Sequence, residues 1–240
     1  DDEAEAFDQA VTDSFKKIDG INGLRATIKS LAAKNAFVPF HPESPLIELC
    51  PHLWGTGNHR VPILDKEFVD GKCINIISRT DLVRFLSSNL RDNPNMNEKI
   101  NESTLKYRRE VVKVVDETSA LEAFELIDSK NLSGIAIVDD EGHLVGNSSA
   151  SDIKCAISDK GREASLDMDI LSYLACVRQA NLSTRFPSAH IYEDATIGQV
   201  INKMAKTGYH RIFVADKDKL PVGVISVGDI IQFALDGNVG

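Results

Sequence analysis

A pattern that occurs three times along the chain constrains its fold more than any other feature of the sequence. Three β-branched runs each end in an aspartate: VPILD at Asp65, IAIVD at Asp139 and IFVAD at Asp216. The same six-residue offset separates these aspartates from His59, Ser133 and His210. Thirteen residues further on, the second and third runs lead to Asp152 and Asp229, and a longer loop leads from Asp65 to Asp81. Such self-similarity predicts one supersecondary unit that is used three times.

Each unit shows the same order of local patterns. A short extended piece precedes a helix with apolar residues at helical spacing, and the β-branched run, a polar turn and a second strand follow. The apolar stripes are Leu121, Phe124 and Ile127 in the second unit and Ile197, Val200, Ile201 and Met204 in the third. Ser44, Ser119 and Thr196 stand where they could cap these helices. The sequence therefore predicts an α/β (α+β) fold built from three β-α-β-β-α repeats.

The repeats set the expected domain boundaries. We expect three repeats, which we call the first repeat (37–92), the middle repeat (108–160) and the third repeat (187–240). A polar, Asn-rich linker separates the first two at 93–107. A linker helix separates the last two at 161–186 and carries the apolar stripe Leu166, Ile170, Leu174 and Val177. Residues 1–36 are predicted to be mostly helical and lack the repeated signature, so they are either the remnant of a further repeat or what is left where one was trimmed.

Each second strand ends in a Ser-x-x-Asp tetrapeptide: SRTD at 78–81, SASD at 149–152 and SVGD at 226–229. A helix that begins there presents free N–H groups and partial positive charge, which favour an anion. The aspartate has two oxygens, which can accept hydrogen bonds from two adjacent sugar hydroxyls. Alternatively, each aspartate only stabilises the first turn of its own helix. The residues alone leave both interpretations open.

Two repeats place a His-Arg pair at the head of the apolar run, His59-Arg60 and His210-Arg211. A guanidinium is permanently charged and binds phosphate through two parallel hydrogen bonds, and the histidine adds a donor. The other interpretation is a solvated arginine and a packed histidine at a strand entrance. The middle repeat has Ser133-Gly134 instead, so a site there would need another cation, for which Lys130 is the candidate.

The three tetrapeptides, in register with the strand-Asp-strand pattern, resemble the CBS domain, whose pairs form Bateman modules. The resemblance covers about 38–92, 108–160 and 187–236 and implies paired small sheets with helices packed between them. Within the family, the two His-Arg strands and the linker LDMDILSYL are similar to the γ/Snf4-like regulatory subunits of AMP-activated protein kinase. Those subunits carry four repeats, and this chain aligns with the second, third and fourth.

The resemblance also implies roles for the polar residues. It implies that the three aspartates Asp81, Asp152 and Asp229 bind ribose and that Ser78, Thr80, Ser149, Ser151 and Ser226 lie near ribose or phosphate. It further implies that His59, Arg60, His210 and Arg211 reach the phosphate of AMP, ADP or ATP, with unequal affinities among the sites. Trp54 is expected to be buried, with adenine stacking as the alternative.

The bulk composition narrows the function classes. A net charge of −9 argues against a nucleic-acid or anionic-membrane surface, and no apolar stretch reaches the roughly 20 residues of a membrane span. The acidic start, DDEAEAFDQA, resembles neither a secretory nor a transit signal. The cysteines Cys50, Cys73, Cys155 and Cys176 lie far apart, as expected for thiols in the cytosol or nucleus rather than for disulfides or a metal site. No catalytic motif is visible, so the chain is predicted not to be an enzyme and to need no cofactor.

Three functional hypotheses remain. The first is a regulatory adenine-nucleotide sensor whose state is read by a partner protein, such as the other subunits of a kinase complex. The second is a non-catalytic scaffold for oligomerisation or partner docking, with vestigial nucleotide sites. The third, a module of a channel, transporter or metabolic enzyme, would need a further domain outside these repeats. Because an odd number of repeats leaves one without a mate, a homodimer is a further expectation.

Overall fold

A computed structural model describes residues 37–54, 58–65, 71–157, 165–180 and 190–238. Contacts divide the chain into two units, and Pro39–Gly240 forms the second of them. The helices expected within 1–36 lie outside the described residues. In the described part of the chain, no helix is both long enough and apolar enough to cross a membrane.

The first repeat contains two helices and a two-stranded antiparallel sheet: α1 (Leu46–Trp54), β1 (Arg60–Leu64), β2 (Cys73–Ser78) and α2 (Arg79–Asn89). The extended piece expected at its start makes one isolated parallel bridge, Phe40 to Ile63, rather than a strand. The first sheet is therefore one strand narrower than the other two. A short 3-10 helix, Pro94–Asn97, follows in the linker.

The middle and third repeats each contain a three-stranded sheet in which a parallel strand is added to an antiparallel pair. The middle repeat contains β3 (Lys113–Val115), α3 (Ala120–Ser129), β4 (Gly134–Val138), β5 (Leu144–Ser149) and a 3-10 helix (Ala150–Ile157). The linker helix is α4 (Ile170–Ala180). The third repeat contains β6 (His190–Tyr192), α5 (Ile197–Thr207), β7 (Arg211–Ala215), β8 (Pro221–Ser226), α6 (Val227–Phe233) and a π-helical turn (Ala234–Asn238).

Two of the three predicted helix caps are present. Ser119 and Thr196 form capping boxes, in which the hydroxyl accepts from the N–H three residues on and that residue's side chain accepts in return. The prediction that Ser44 caps the first helix was wrong. Helix α1 begins only at Leu46, and the Ser44 hydroxyl accepts from the His41 N–H instead.

The helices of the first and third repeats share one hydrophobic core. Leu53, Leu82 and Leu86 of the first repeat join Ile201 and Ile230 of the third in a single buried cluster. The helical spacing of these residues places them on one face of each helix, so packing the two faces together removes both from water. The first repeat therefore pairs with the third, which is distant in sequence.

The sheets of the middle and third repeats pack against each other. Ala136 and Leu144 of the middle repeat form a small buried cluster with Phe213 and Ala215 of the third. The middle repeat has its own core as well, where α3 packs against the linker helix α4 through residues such as Phe124, Ile170, Tyr173 and Leu174. The third repeat thus contacts the first through helices and the middle through its sheet.

Three local expectations were wrong. Leu121 is 42% exposed, because α3 buries Ala120, Ala123, Phe124 and Ile127, and Leu121 lies one residue off that face. Trp54 is 44% exposed at the end of α1, where its ring lies against Gly228. The helix expected after SASD is a 3-10 helix, and here the Ser149 hydroxyl lies 2.8 Å from the Ser151 hydroxyl.

Candidate functional site

The first and third Ser-x-x-Asp elements form the same closed arrangement. The Ser78 N–H and hydroxyl donate to Asp81 Oδ2 at 2.9 and 2.6 Å, and the Ser78 hydroxyl accepts from the Asp81 N–H. The Ser226 N–H and hydroxyl donate to Asp229 Oδ2, both at 2.7 Å. One oxygen of each aspartate therefore caps its own helix, as the second interpretation of these motifs predicted.

The middle element keeps only part of this arrangement. The Ser149 N–H and hydroxyl donate to Asp152 Oδ2 at 2.8 and 3.0 Å. Because the Ser149 hydroxyl also contacts Ser151, the turn differs from the other two. Tyr173 of the linker helix donates to the Asp152 carbonyl at 2.9 Å, which ties this turn to the core of the middle repeat.

The second carboxylate oxygen distinguishes the first element from the third. Asp81 Oδ1 lies 3.8 Å from Arg84 Nη1, and both side chains are well exposed, so this pair contributes little. The hydrogen bonds from Ser78 are the main cause that lowers the pKa of Asp81, and the charge of Arg84 lowers it by less. Asp229 Oδ1 instead accepts a 2.8 Å hydrogen bond from Arg109 Nη2. The third element therefore has both oxygens engaged.

Cationic groups of the first and third repeats meet at their interface. Thr80 Oγ1 lies 3.2 Å from His210 Nε2, although 130 residues separate them in the sequence. Arg79 Nε donates to the Leu53 carbonyl, which holds its guanidinium beside α1. The pKa of His59 is lowered, first by burial and then by the charges of Arg79, His210 and Arg60. We call His59, Arg60, Arg79, Thr80 and His210 the interface cluster.

Arg211 points away from this cluster, towards the middle repeat. Its Nη1 donates to the Gly134 carbonyl at 3.3 Å. The pKa of Arg211 is lowered by burial first and by Arg109 second, whereas Asp229 raises it, so the three side chains act on one another. Lys130, the cation expected for the middle repeat, caps the C-terminus of α3 with its backbone N–H, while two arginines lie at the contact between the middle and third repeats.

Two residues that sequence reasoning missed belong to these arrangements. Arg79 is the second residue of SRTD, and its position inside that motif is a signal that was available. Arg109 lies in the segment that precedes β3, and 120 residues separate it from Asp229. No local pattern connects Arg109 to that carboxylate.

The part of the chain that the structure describes offers no group of three or more His, Cys, Asp or Glu residues that could hold a metal ion. Cys50 is buried, and this burial raises the pKa of its thiol. Cys73 is exposed, and Cys176 is partly exposed. All three thiols are free.

Comparison with known proteins identifies a family for the segments that contain the middle and third repeats. The CBS domain family matches residues 105–159 and 181–236. Protein sds23 of Neosartorya fischeri is 29% identical over 188 residues, which are 73% of this chain and 34% of that protein. Protein SDS23 of Candida albicans is 26% identical over 204 residues, 80% of this chain and 31% of that protein. The chain spans about a third of the length of these curated relatives.

Two solved archaeal structures share the fold. One, from Methanocaldococcus jannaschii and proposed as a homologue of γ-AMPK, has a TM-score of 0.59 at 18% identity and covers 82% of this chain and 67% of its own. The other, from Pyrococcus horikoshii, has a TM-score of 0.61 at 20% identity and covers 87% of this chain and 84% of its own. The two matched segments, the Ser-x-x-Asp turns that they contain and this shared fold lead to one conclusion: the middle and third repeats are CBS domains.

Proposed function

We propose that this chain is a regulatory adenine-nucleotide-binding module, in which the phosphate of AMP, ADP or ATP binds at the interface cluster. The observation that carries the proposal is the convergence of His59, Arg60, Arg79 and His210 from two repeats. The Arg79 N–H donates to the His59 carbonyl at 3.2 Å, Arg60 pairs with the residue before Arg79, and Thr80, the residue after it, contacts His210. Placing such groups together without an anion costs free energy, because each raises the cost of charging the next. A phosphate at this position would offset that repulsion through charge-assisted hydrogen bonds.

The surroundings of the cluster suit the rest of a nucleotide. Trp54 presents a half-exposed ring next to Gly228, at the start of the third repeat's last helix. Stacking of a base on an aromatic ring contributes on the order of 1–3 kcal/mol. Asp81 keeps Oδ1 free of any short hydrogen bond within the described residues, so that oxygen is available to a sugar hydroxyl. Trp54 is therefore proposed for adenine and Asp81 for ribose.

Regulation follows from where this ligand would bind. A nucleotide between the first and third repeats would stabilise their contact relative to the open form, and a partner that recognises the closed form would report its presence. We propose subunits of a kinase complex as this partner, on the basis of the similarity of the His-Arg strands to γ/Snf4-like subunits. The three Ser-x-x-Asp turns act in this proposal as binding elements and not in catalysis.

The test uses the fluorescence of Trp54, which is the only tryptophan in the chain. Titration with AMP, ADP and ATP should change its emission, and calorimetry should give a matching affinity. Arg60→Ala and His210→Ala should each weaken binding about 10-fold or more, as expected for losing a charged hydrogen bond of about 1.5–3 kcal/mol. Arg91→Gln, which removes one positive charge from an exposed helix end, should leave the titration unchanged. No heat and no emission change at millimolar nucleotide would refute the proposal.

One observation favours the scaffold hypothesis as a second candidate. Ile74 and Ile76 on β2 are 52% and 53% exposed, whereas the corresponding sheet faces of the other two repeats cover each other. We propose that the occupant of this face is the same sheet of a second copy, because a sheet of this repeated design is what covers the other two. Ile76→Asp should shift a dimer to monomer in analytical ultracentrifugation. A wild-type chain that is monomeric at all concentrations would exclude this candidate.

A further inference from the structure

Asp229 differs from the aspartates of the other repeats because both of its oxygens accept short hydrogen bonds within the fold. Oδ2 accepts two hydrogen bonds from Ser226, and Oδ1 accepts one from Arg109 at 2.8 Å. The Asp229 side chain is only 17% exposed, whereas that of Arg109 is 42% exposed. The ion pair therefore covers the carboxylate from the solvent side.

Backbone hydrogen bonds hold Arg109 in this position. The Tyr107 carbonyl accepts from the Val224 N–H at 3.0 Å, and Arg108 bridges to Gly223, so this segment pairs with β8 just before Ser226. Gly223 is required there, since a Cβ would lie 2.3 Å from the Tyr107 carbonyl oxygen. The Arg109 guanidinium also donates to the Lys106 carbonyl at 2.9 Å. Its placement is built into the fold rather than left to a freely rotating side chain.

Charge at this position is unbalanced. Arg211 lies at the start of β7, where its Nη1 donates to the Gly134 carbonyl, and the charges of Arg109 and Asp229 act on its pKa in opposite directions. The two guanidiniums and the one carboxylate together carry one net positive charge. An anionic group of a ligand would be attracted here, and guanidinium is the cation best matched to phosphate.

The space against Asp229 is also small. A cavity of about 20 Å³ lies there, lined by Thr104, Leu105, Lys106, Gln232, Phe233 and Asp236. This volume holds roughly one water molecule, whereas ligand pockets are on the order of 300 Å³ or more. A sugar hydroxyl that donates to Asp229 Oδ1 would therefore compete with Arg109 for that oxygen.

We propose that Arg109 is a specificity-determining residue at Asp229, which admits nucleotides and excludes uncharged nucleosides. This inference rests on the proposed function. A nucleotide replaces both halves of the ion pair. Its sugar hydroxyl donates to Asp229 Oδ1 in place of Arg109, and its phosphate accepts from the Arg109 guanidinium in place of Asp229. A nucleoside replaces only the partner of Asp229 and leaves Arg109 without an anion. Discrimination therefore comes from the ion pair itself and not from contacts with the base.

Calorimetry with AMP and adenosine on the full chain tests this inference. Asp229→Asn, which keeps a side-chain oxygen that can accept from Ser226 but removes the negative charge, identifies the binding component that belongs to this position. For that component, wild type should favour AMP over adenosine by about 10- to 100-fold, the range expected for a charged hydrogen bond. Arg109→Gln should weaken the binding of AMP and strengthen the binding of adenosine, so that the ratio of the two affinities falls towards one. Arg91→Gln, with the same change of net charge, should keep the wild-type ratio.

The outcomes separate the two proposals. If Arg109→Gln strengthens the binding of AMP and of adenosine equally, Arg109 only blocks access to Asp229, and the inference is overturned. An unchanged ratio, or AMP binding in which Asp229→Asn removes no component at all, would overturn it as well, while the proposed function stands. If neither the wild type nor any variant binds AMP, the proposed function fails and the inference falls with it.

Discussion

Towards the first repeat, the third repeat buries long helix side chains such as Ile201 and Ile230 in one extensive core. Towards the middle repeat, it contributes Phe213 and Ala215 to a small cluster between two sheets, and the middle repeat has a separate core of its own. Buried apolar area is the main source of stability, so the first contact should be much the stronger. The first and third repeats should therefore behave as one body, to which the middle repeat is attached more loosely.

The two candidate binding positions fall on different sides of this division. The interface cluster lies within the strong contact between the first and third repeats. The Arg109, Arg211 and Asp229 group lies where the third repeat meets the middle repeat, since Arg211 donates to the Gly134 carbonyl. A ligand at the second position would act on the contact that is easier to shift.

The largest expected effect comes from the shared core. Ile230 is fully buried in α6, and Ile230→Ala should lower the free energy of unfolding by about 2–5 kcal/mol through lost burial and a cavity. Urea denaturation followed by circular dichroism measures this loss. Ile47→Ala on the exposed face of α1, where Ile47 is 59% exposed, is the matched control and should change stability by less than about 0.5 kcal/mol. A loss below about 1 kcal/mol for Ile230→Ala would contradict a core shared between the two repeats.

A smaller effect is expected at the sheet contact. Leu144 is 8% exposed in the cluster between the middle and third repeats, so Leu144→Ala should cost about 2 kcal/mol, the lower end of the range for leucine. Hydrogen exchange should then rise at the β4 and β5 amides and stay unchanged in α2 and α5. Equal acceleration in α2 and α5 would show that the three repeats unfold as a single unit and would remove the distinction between the two contacts.

The smallest effect is the pH dependence of the interface cluster. Burial, followed by Arg79, His210 and Arg60, lowers the pKa of His59 below its ordinary value of 6.5. The unfolded chain therefore binds more protons than the folded chain between the two values, so this histidine contributes a loss of stability as the pH falls through 6.5 and none above it. Urea midpoints at about pH 7.5 and 5.5 should fall less in His59→Gln than in the wild type.

His190 serves as an internal reference in that measurement. Its pKa is lowered by burial and then by Lys203, so it contributes a loss of the same sign in both proteins. The depressed carboxylates, such as Asp81, titrate below this pH window. An acid-induced loss of equal size in wild type and His59→Gln would show that neither burial nor the neighbouring cations lower the pKa of His59. Saturating AMP should reduce the loss in the wild type, since phosphate favours the protonated histidine.

Much of the local structure could be predicted from the sequence. The strands β4, β5, β7 and β8, the caps at Ser119 and Thr196, and the Ser-x-x-Asp turns all follow from residues within about a dozen positions of one another. The errors were local as well. Leu121 and Trp54 are large apolar residues for which hydrophobicity predicted burial, but their position relative to the packed face decided otherwise.

The candidate sites could be predicted only as separate lists of residues. His59 and His210 were expected to contact phosphate because each heads a strand, yet nothing in either strand indicates that the two approach each other through the packing of α2 against α5 and α6. Arg109 had no assigned role, and its importance comes from the backbone pairing that holds Tyr107 against Gly223. Contacts over such separations depend on which faces pack together, and many arrangements of three similar repeats satisfy the same apolar pattern.

By itself, the sequence determined the repeated unit, its helices and strands, and the residue types available for binding, because hydrogen bonding and apolar periodicity act over short distances along the chain. Only the tertiary structure decided that the third repeat pairs with the first through helices and with the middle through sheets, that the face of β2 stays exposed, and that Arg109 covers Asp229. The physical reason is that each repeat has two apolar surfaces of similar character. Which of them meet is set by the complementarity of whole surfaces, which no local stretch of residues encodes.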